Sequence, residues 1–315
     1  MRILFFGTPA LAAGYLRTLL ESARHDIAGV VTRPDAPQGR GQKFGPSAVK
    51  ALAAQYRLGP VFTPTHPRDA DFSGALSDLR ADIAVVVAYG KILPETILSA
   101  TRTGFINVHF SLLPKLRGPS PAEYAILEGH ADTGVSLFWI DQGMDTGPLL
   151  AQQSLPISPK ETAPELLQRL ERLGQNLLLK SLDRVAQGTA PKIPQNHTLA
   201  SYSKIIKKED GLIEWSEPAI KIECKIRAYA AWPKCWSTIN GDRLQILKAS
   251  AGPDQNGTRE IGQVLNAEAA KGFFVKCGIG EILVETVCPE GGRPMPASAW
   301  LAGRRNAGNI LRLGT

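Results

Sequence analysis

Cysteine is scarce in this chain: four among 315 residues, Cys224, Cys235, Cys277 and Cys288, all in the C-terminal third. No two of them form a Cys-x-x-Cys pair and no histidine lies among them, so no metal site is expected. Without a secretory signal, four thiols are expected to stay reduced. That signal is also missing, because Met1-Arg2 runs directly into a short apolar stretch. No apolar run approaches the roughly 20 residues that span a bilayer. A cytoplasmic protein without membrane attachment is therefore expected. Internal repeats and low-complexity tracts are absent too. So is the Gly-x-Gly-x-x-Gly cradle for a pyrophosphate, and NAD is not implied.

What is present reads as an ordinary globular protein, 43% hydrophobic and 21% charged, long enough for two domains. The net charge is +7 and is unevenly spread. Residues 1–189 hold 19 Lys and Arg against 17 Asp and Glu, and residues 190–315 hold 17 against 12. A basic C-terminal part points to a polyanionic partner such as nucleic acid, or to a surface tuned only for solubility.

Taken in order, Arg2–Phe6 reads as a buried strand and Gly7-Thr8-Pro9 as the turn into a helix over Ala10–Leu20, with Pro9 suited to the first turn. Ile27–Thr32 is a second strand. The stretch from Arg33 to Ser47 carries three prolines, three glycines and three basic residues, and reads as an exposed functional loop with Arg40 and Lys43 as its reaching charges. The run Asp82–Tyr89 is apolar after its first residue and rich in β-branched Ile and Val, as a central strand covered on both faces would be. Strands alternating with helices at this spacing predict an α/β, Rossmann-like, doubly wound parallel sheet. Ser158-Pro-Lys-Glu161 resembles a capping box opening a long helix to about Gln187. The leucines of that helix recur at i, i+3 and i+4, so one face packs on the domain.

The proline-punctuated stretch 189–205 reads as a linker. Residues 206–315, with a helix over Pro218–Tyr229, several short strands and an Asn240-Gly241 hairpin signal, predict a small antiparallel OB-like β-barrel. The expected domains are thus 1–188 and 206–315.

The stretch carrying chemistry is Gly104-Phe-Ile-Asn-Val-His-Phe-Ser-Leu-Leu-Pro-Lys-Leu-Arg-Gly118. It begins as a strand, so Asn107 and His109 share a face, and it ends in a loop. In an open α/β sheet ligands bind where strands run out in this way.

Asn107-Val-His109, followed by Ser111-Leu-Leu-Pro114, by Arg117-Gly118 and later by Asp145 within Gly143-Met-Asp-Thr-Gly147, resembles the signature of the 10-formyltetrahydrofolate-dependent formyltransferases. The resemblance covers the whole chain. It implies a 10-formyltetrahydrofolate cosubstrate, no metal, and catalytic roles for Asn107, His109 and Asp145. It also implies a folate site lined by Ser111, Leu112, Leu113 and Pro114, with Tyr89, Gly90 and Ile92 as a further wall. The loop with Arg40 and Lys43 would face the acceptor arm of a methionyl-initiator tRNA, in a protein expected to be a monomer. One departure is local: relatives often carry an aromatic residue after Gly-Thr-Pro, in the methionine pocket, where this chain has Ala10-Leu11.

The residue types suit that chemistry. Formyl transfer to an amine requires attack on a carbonyl and passes through a tetrahedral, oxyanion-bearing state. An amide such as Asn107 can donate to that oxygen. His109 can take the proton the amine loses, and Asp145 could orient the ring and favour its charged form. No covalent nucleophile is needed, Ser111 included. Asp145 between glycines is equally open to an Asx-turn role, and His130 reads as solvated.

Three rival readings remain open at this level. One is transfer to a nucleotide-linked amino sugar, which can share both domains. The second is a glycinamide ribonucleotide formyltransferase, which would resemble only the first domain. The third is a non-catalytic nucleic-acid-binding protein.

Overall fold

The computed structural model describes residues 1–38, 43–68, 70–252, 259–265, 272–303 and 311–314. The backbone divides into two units, one formed by residues 1–118, 133–155 and 168–202, the other by residues 119–132, 156–167 and 203–315.

The first unit begins β1 (Arg2–Gly7), α1 (Ala10–Ser22), β2 (Asp26–Val31), β3 (Ala36–Gln38), β4 (Lys43–Gly45), α2 (Ala48–Gln55) and β5 (Val61–Phe62). It continues through α3 (Ala70–Asp78), β6 (Ile83–Val87), α4 (Glu95–Leu98) and β7 (Phe105–His109). The helix α5 (Pro121–Leu127) belongs to the second unit. Then come β8 (Asp132–Trp139), β9 (Leu149–Pro156) and the long α6 (Ala163–Ala186).

The main sheet has the order β5-β2-β1-β6-β7-β8-β9. Its first five strands are parallel, as expected, whereas β8 runs antiparallel to β7. The sheet is therefore mixed, and β7 is the strand at which direction changes. Every residue of β6 is buried, which is what its unbroken apolar run requires, and each Val or Ile side chain in it contributes about 1.5–3 kcal/mol by leaving water. Phe6, Tyr89 and Phe105 meet at ring centroid separations of 5.5 Å in the core beside it.

The basic loop contains a short antiparallel ribbon, β3 against β4, with Phe44 77% exposed. Residues 189–202, expected as a linker, are packed within the first unit: Ile193 pairs with Leu149 and Gln195 is buried. The capping box of α6 is also displaced. Glu161 closes a turn on the Ser158 amide. The helix itself is capped by Thr162, whose amide and hydroxyl both donate to Glu165.

The second unit holds α7 (Ala219–Ala228), β10 (Cys235–Ile239), β11 (Asp242–Gly252), β12 (Val264–Leu265), β13 (Phe273–Lys276), β14 (Glu281–Pro289), β15 (Met295–Pro296) and α8 (Ala297–Ala302). Its antiparallel sheet runs β10-β11-β14-β13-β12, with β15 on β14, and curls into a half-barrel as the predicted small β domain would. Asn240 and Gly241 both have positive φ, 50° and 84°. That is the two-residue hairpin turn their sequence signals. Among the described residues no helix is long and apolar enough to cross a membrane.

Candidate active site

The site forms where β7 leaves the sheet. Asn107 lies between Val86 of β6 and Phe138 of β8, and His109 lies opposite Ser136, so the amide and the imidazole emerge on one face. Asn107 is half-buried, and the His109 side chain is 6% exposed.

The loop after β7 turns back on the strand. His109 Nε2 lies 2.8 Å from the Leu116 carbonyl oxygen. A carbonyl can only accept, so Nε2 carries the hydrogen and the Nδ1 lone pair of the neutral ring is left free of that bond. Nδ1 lies 3.7 Å from Asp145 Oδ2, too long for a hydrogen bond but well within electrostatic reach. Burial pushes the proton affinity of His109 below its ordinary range, against the opposing pull of Asp145. Asp145 thus pulls the ring toward its charged form, in the direction expected, but is not the larger influence. At rest the imidazole is neutral because desolvation outweighs the carboxylate.

Asp145 does not make the Asx-turn open to it from sequence. That turn belongs to Asp141, which accepts from the Gly143 amide at 3.0 Å and the Thr146 hydroxyl at 2.7 Å. Asp145 instead accepts from the Gly118 amide at 2.7 Å. One short segment, Leu116–Gly118, therefore anchors both the imidazole and the carboxylate.

The Ser111–Pro114 loop is fixed by a small polar network. Ser111 Oγ donates to the Lys115 carbonyl at 2.6 Å, so its hydroxyl hydrogen is already engaged. Ser136 Oγ donates to the Ser111 carbonyl and accepts from the Leu113 amide, while Gln152 Nε2 donates to the Leu113 carbonyl. The expected folate-lining residues separate into two groups. Gly90 and Ile92 are exposed, Ile92 to 83%, and Leu112 and Pro114 are half-buried. Ser111, Leu113 and Tyr89 are buried, and the Tyr89 ring packs edge-on against Phe6. Tyr89 thus stands in the core at the end of β6, beside the exposed Gly90. Lys43 is exposed at the start of β4, and Arg40 lies outside the described residues.

Sequence reasoning missed Gln195 and Ser201. Arg117, 1% exposed, gives Gln195 Oε1 two hydrogen bonds, from Nε at 3.2 Å and Nη2 at 2.6 Å. Ser201 accepts the Leu116 amide at its hydroxyl and the Arg117 amide at its carbonyl. Nothing local marks either residue, since both sit in a polar stretch that reads as linker. Among the described residues no group of three or more His, Cys, Asp or Glu side chains could hold a metal.

A fold with its polar pair at this sheet edge is that of a formyl transferase: the Formyl transferase family matches residues 1–182, and its C-terminal domain matches residues 205–305. The chain is 42% identical to a methionyl-tRNA formyltransferase of Roseiflexus castenholzii, over 98% of this chain and 97% of that protein. It is likewise 42% identical to that of Chloroflexus aurantiacus over the full length of both, and 39% identical to that of Pseudomonas paraeruginosa over 99% of each. The chain belongs to the methionyl-tRNA formyltransferase family.

Among solved structures it resembles an N-formyltransferase from Helicobacter canadensis in complex with folinic acid and dTDP-3-aminofucose. That likeness has a TM-score of 0.67 at 22% identity, covering 90% of this chain and 98% of the other. It also resembles a glycinamide ribonucleotide transformylase from Symbiobacterium toebii, with a TM-score of 0.51 at 19% identity, over 60% of this chain and 88% of the other. These two likenesses speak to fold alone.

Proposed function

We propose that this protein moves the formyl group of 10-formyltetrahydrofolate to the free amino group of methionyl-tRNA, and so supplies a formylated initiator for translation. It does so as a cytoplasmic monomer and without a covalent intermediate. The observation that carries the reading is the pair His109 and Asp145, a neutral imidazole whose lone pair faces a carboxylate 3.7 Å away beside the Asn107 amide.

The residues fit a folate. The exposed Ile92 and Gly90, just past the end of β6, and the half-buried Leu112 and Pro114, in the loop after the neighbouring β7, offer apolar surface at the strand ends, the usual make-up of a small-molecule site. 10-Formyltetrahydrofolate supplies the carbonyl carbon. The Asn107 amide donates to the formyl oxygen as negative charge builds there, a contact whose loss typically costs about 10²–10³-fold in rate. His109 accepts at Nδ1 the proton that the attacking amine gives up, and Asp145 stabilises the imidazolium so formed. The exposed Lys43 and, beyond the described residues, Arg40 meet tRNA phosphates. The three relatives named above are methionyl-tRNA formyltransferases, and their identity of about 40% over nearly the whole chain supports that acceptor over a nucleotide sugar.

The test offers 10-formyltetrahydrofolate with methionyl-tRNA or with a nucleotide-linked amino sugar and measures formyl transfer. Turnover on the sugar alone would sink the acceptor assignment, and binding of tRNA without any turnover would return the protein to a binding role. Asn107→Ala is expected to cost about 10²-fold or more in kcat with folding intact.

A further inference from the structure

Gln195 lies far from β7 in sequence, yet every polar atom of its side chain is committed around the active pair. Its Oε1 accepts twice from Arg117, and its Nε2 donates to the Asp145 carbonyl at 2.9 Å and the Gly147 carbonyl at 2.7 Å. The residue is 5% exposed. An amide has two donor hydrogens and an oxygen that can accept twice, so its capacity is filled. The orientation is fixed as well, because reversing the amide would set N–H against guanidinium and oxygen against two carbonyls.

The residues it joins form a closed circuit. Arg117 sits between Leu116, whose carbonyl takes the His109 Nε2 hydrogen, and Gly118, whose amide holds the Asp145 carboxylate. Asp145 has a φ of +55° and Leu116 of +55°, left-handed conformations that a non-glycine residue keeps only where its surroundings hold it. Gln195 spans the two turns.

We infer that Gln195 is a positioning residue for formyl transfer. It ties the Arg117 segment to the Asp145 turn and so sets the carboxylate against the imidazole. The inference rests on the roles of His109 and Asp145 proposed above.

The test uses the full chain with 10-formyltetrahydrofolate and methionyl-tRNA. Gln195→Met keeps length and burial but removes all four hydrogen bonds. A loss in kcat of about 20-fold or more is expected, with KM for both substrates within about 2-fold. The acid limb of kcat/KM should move to lower pH, because a displaced Asp145 no longer favours the charged ring. In an Asp145→Asn background the same substitution should cost less than about 3-fold, since the group it positions is already gone. A merely structural role would lower the melting temperature without this non-additivity.

Full multiplication of the two losses, or wild-type kcat in Gln195→Met, would overturn the inference. A slow Asp145→Asn beside a fast Gln195→Met would overturn it alone. A wild-type rate in Asp145→Asn would remove the reading of Asp145 and this inference together. Should Gln195→Met fail to fold, Gln195→Glu retains the contact with Arg117, loses both donations to the Asp145 turn, and carries the same expectations.

Discussion

Replacing Asp145 with asparagine isolates the charge from the shape. The asparagine oxygen can still accept from the Gly118 amide, which Asp145 holds at 2.7 Å, so the turn should persist. What disappears is the attraction between a carboxylate and the imidazolium that forms when His109 takes its proton. At a separation of 3.7 Å and an effective dielectric constant near 20, that attraction is worth about 4 kcal/mol. The two side chains are 6% and 17% exposed, so little of it is lost to solvent screening. Four kcal/mol corresponds to about a thousandfold in rate, and the residual dipole of the asparagine returns part of it, leaving an expected kcat loss of about 10²–10³-fold. Single-turnover formylation of methionyl-tRNA at saturating 10-formyltetrahydrofolate reads the chemical step directly. Binding of both substrates should change little, because at rest the imidazole is neutral and the carboxylate serves only the later state. A loss below about 5-fold, or one confined to KM, would refute the argument that Asp145 acts on a charge developed during transfer.

Three further outcomes follow from other parts of the molecule. The proton affinity of His109 is held below its ordinary value of 6.5 by burial, so the unfolded chain binds the extra proton first. The corresponding stability is present above pH 6.5 and is lost as pH falls below it, and His109→Gln should flatten urea midpoints measured from pH 7 to 5. In Gly147→Ala the added carbon would lie 1.8 Å from the Trp139 carbonyl oxygen. Backbone there cannot yield, so the Asp145 turn should shift, with a large loss of kcat and a drop in melting temperature; an unchanged kcat would show the turn to be dispensable. Arg40→Ala should weaken tRNA use without altering folate KM and reduce the salt slope of tRNA binding by about 1, whereas an unchanged slope would remove the phosphate role from that loop.

The parts of this site legible in sequence are those set by local periodicity. Period-2 alternation put Asn107 and His109 on one face, and the unbroken run of Ile83–Val87 marked a buried central strand. Strand direction was not legible, because an apolar strand beside β7 has the same composition whether it runs parallel or antiparallel. Hence the reversal at β8 had to come from the structure. The capping box was placed one turn early: Ser158 to Glu161 and Thr162 to Glu165 share the same spacing of hydroxyl and acid, and only the second opens the helix. Gln195 and Ser201 carried no signal, since their hydrogen bonds run to residues about 50 to 85 positions away. The net direction of the His109 shift was not legible for a related reason. The sign of its shift depends on how completely the Leu116 loop covers the ring, which spacing cannot give.

That covering explains why the pair is built as it is. A permanently charged His109 would form an ion pair with Asp145 before substrate arrived, and its attraction would stabilise the resting enzyme and the reacting state alike. Only interactions stronger in the reacting state raise kcat. Burial keeps the ring neutral, the Leu116 carbonyl fixes its hydrogen on Nε2, and the Gly118 amide satisfies one oxygen of Asp145 without neutralising it. In the proposed reaction the ion pair therefore comes into being only when the amine gives up its proton. Two left-handed residues, Leu116 and Asp145, each at a cost of order 1–3 kcal/mol, sustain that arrangement. The strain is tolerable because Ser201 and Gln195, from a stretch with no regular structure of its own at those positions, hold both turns from behind.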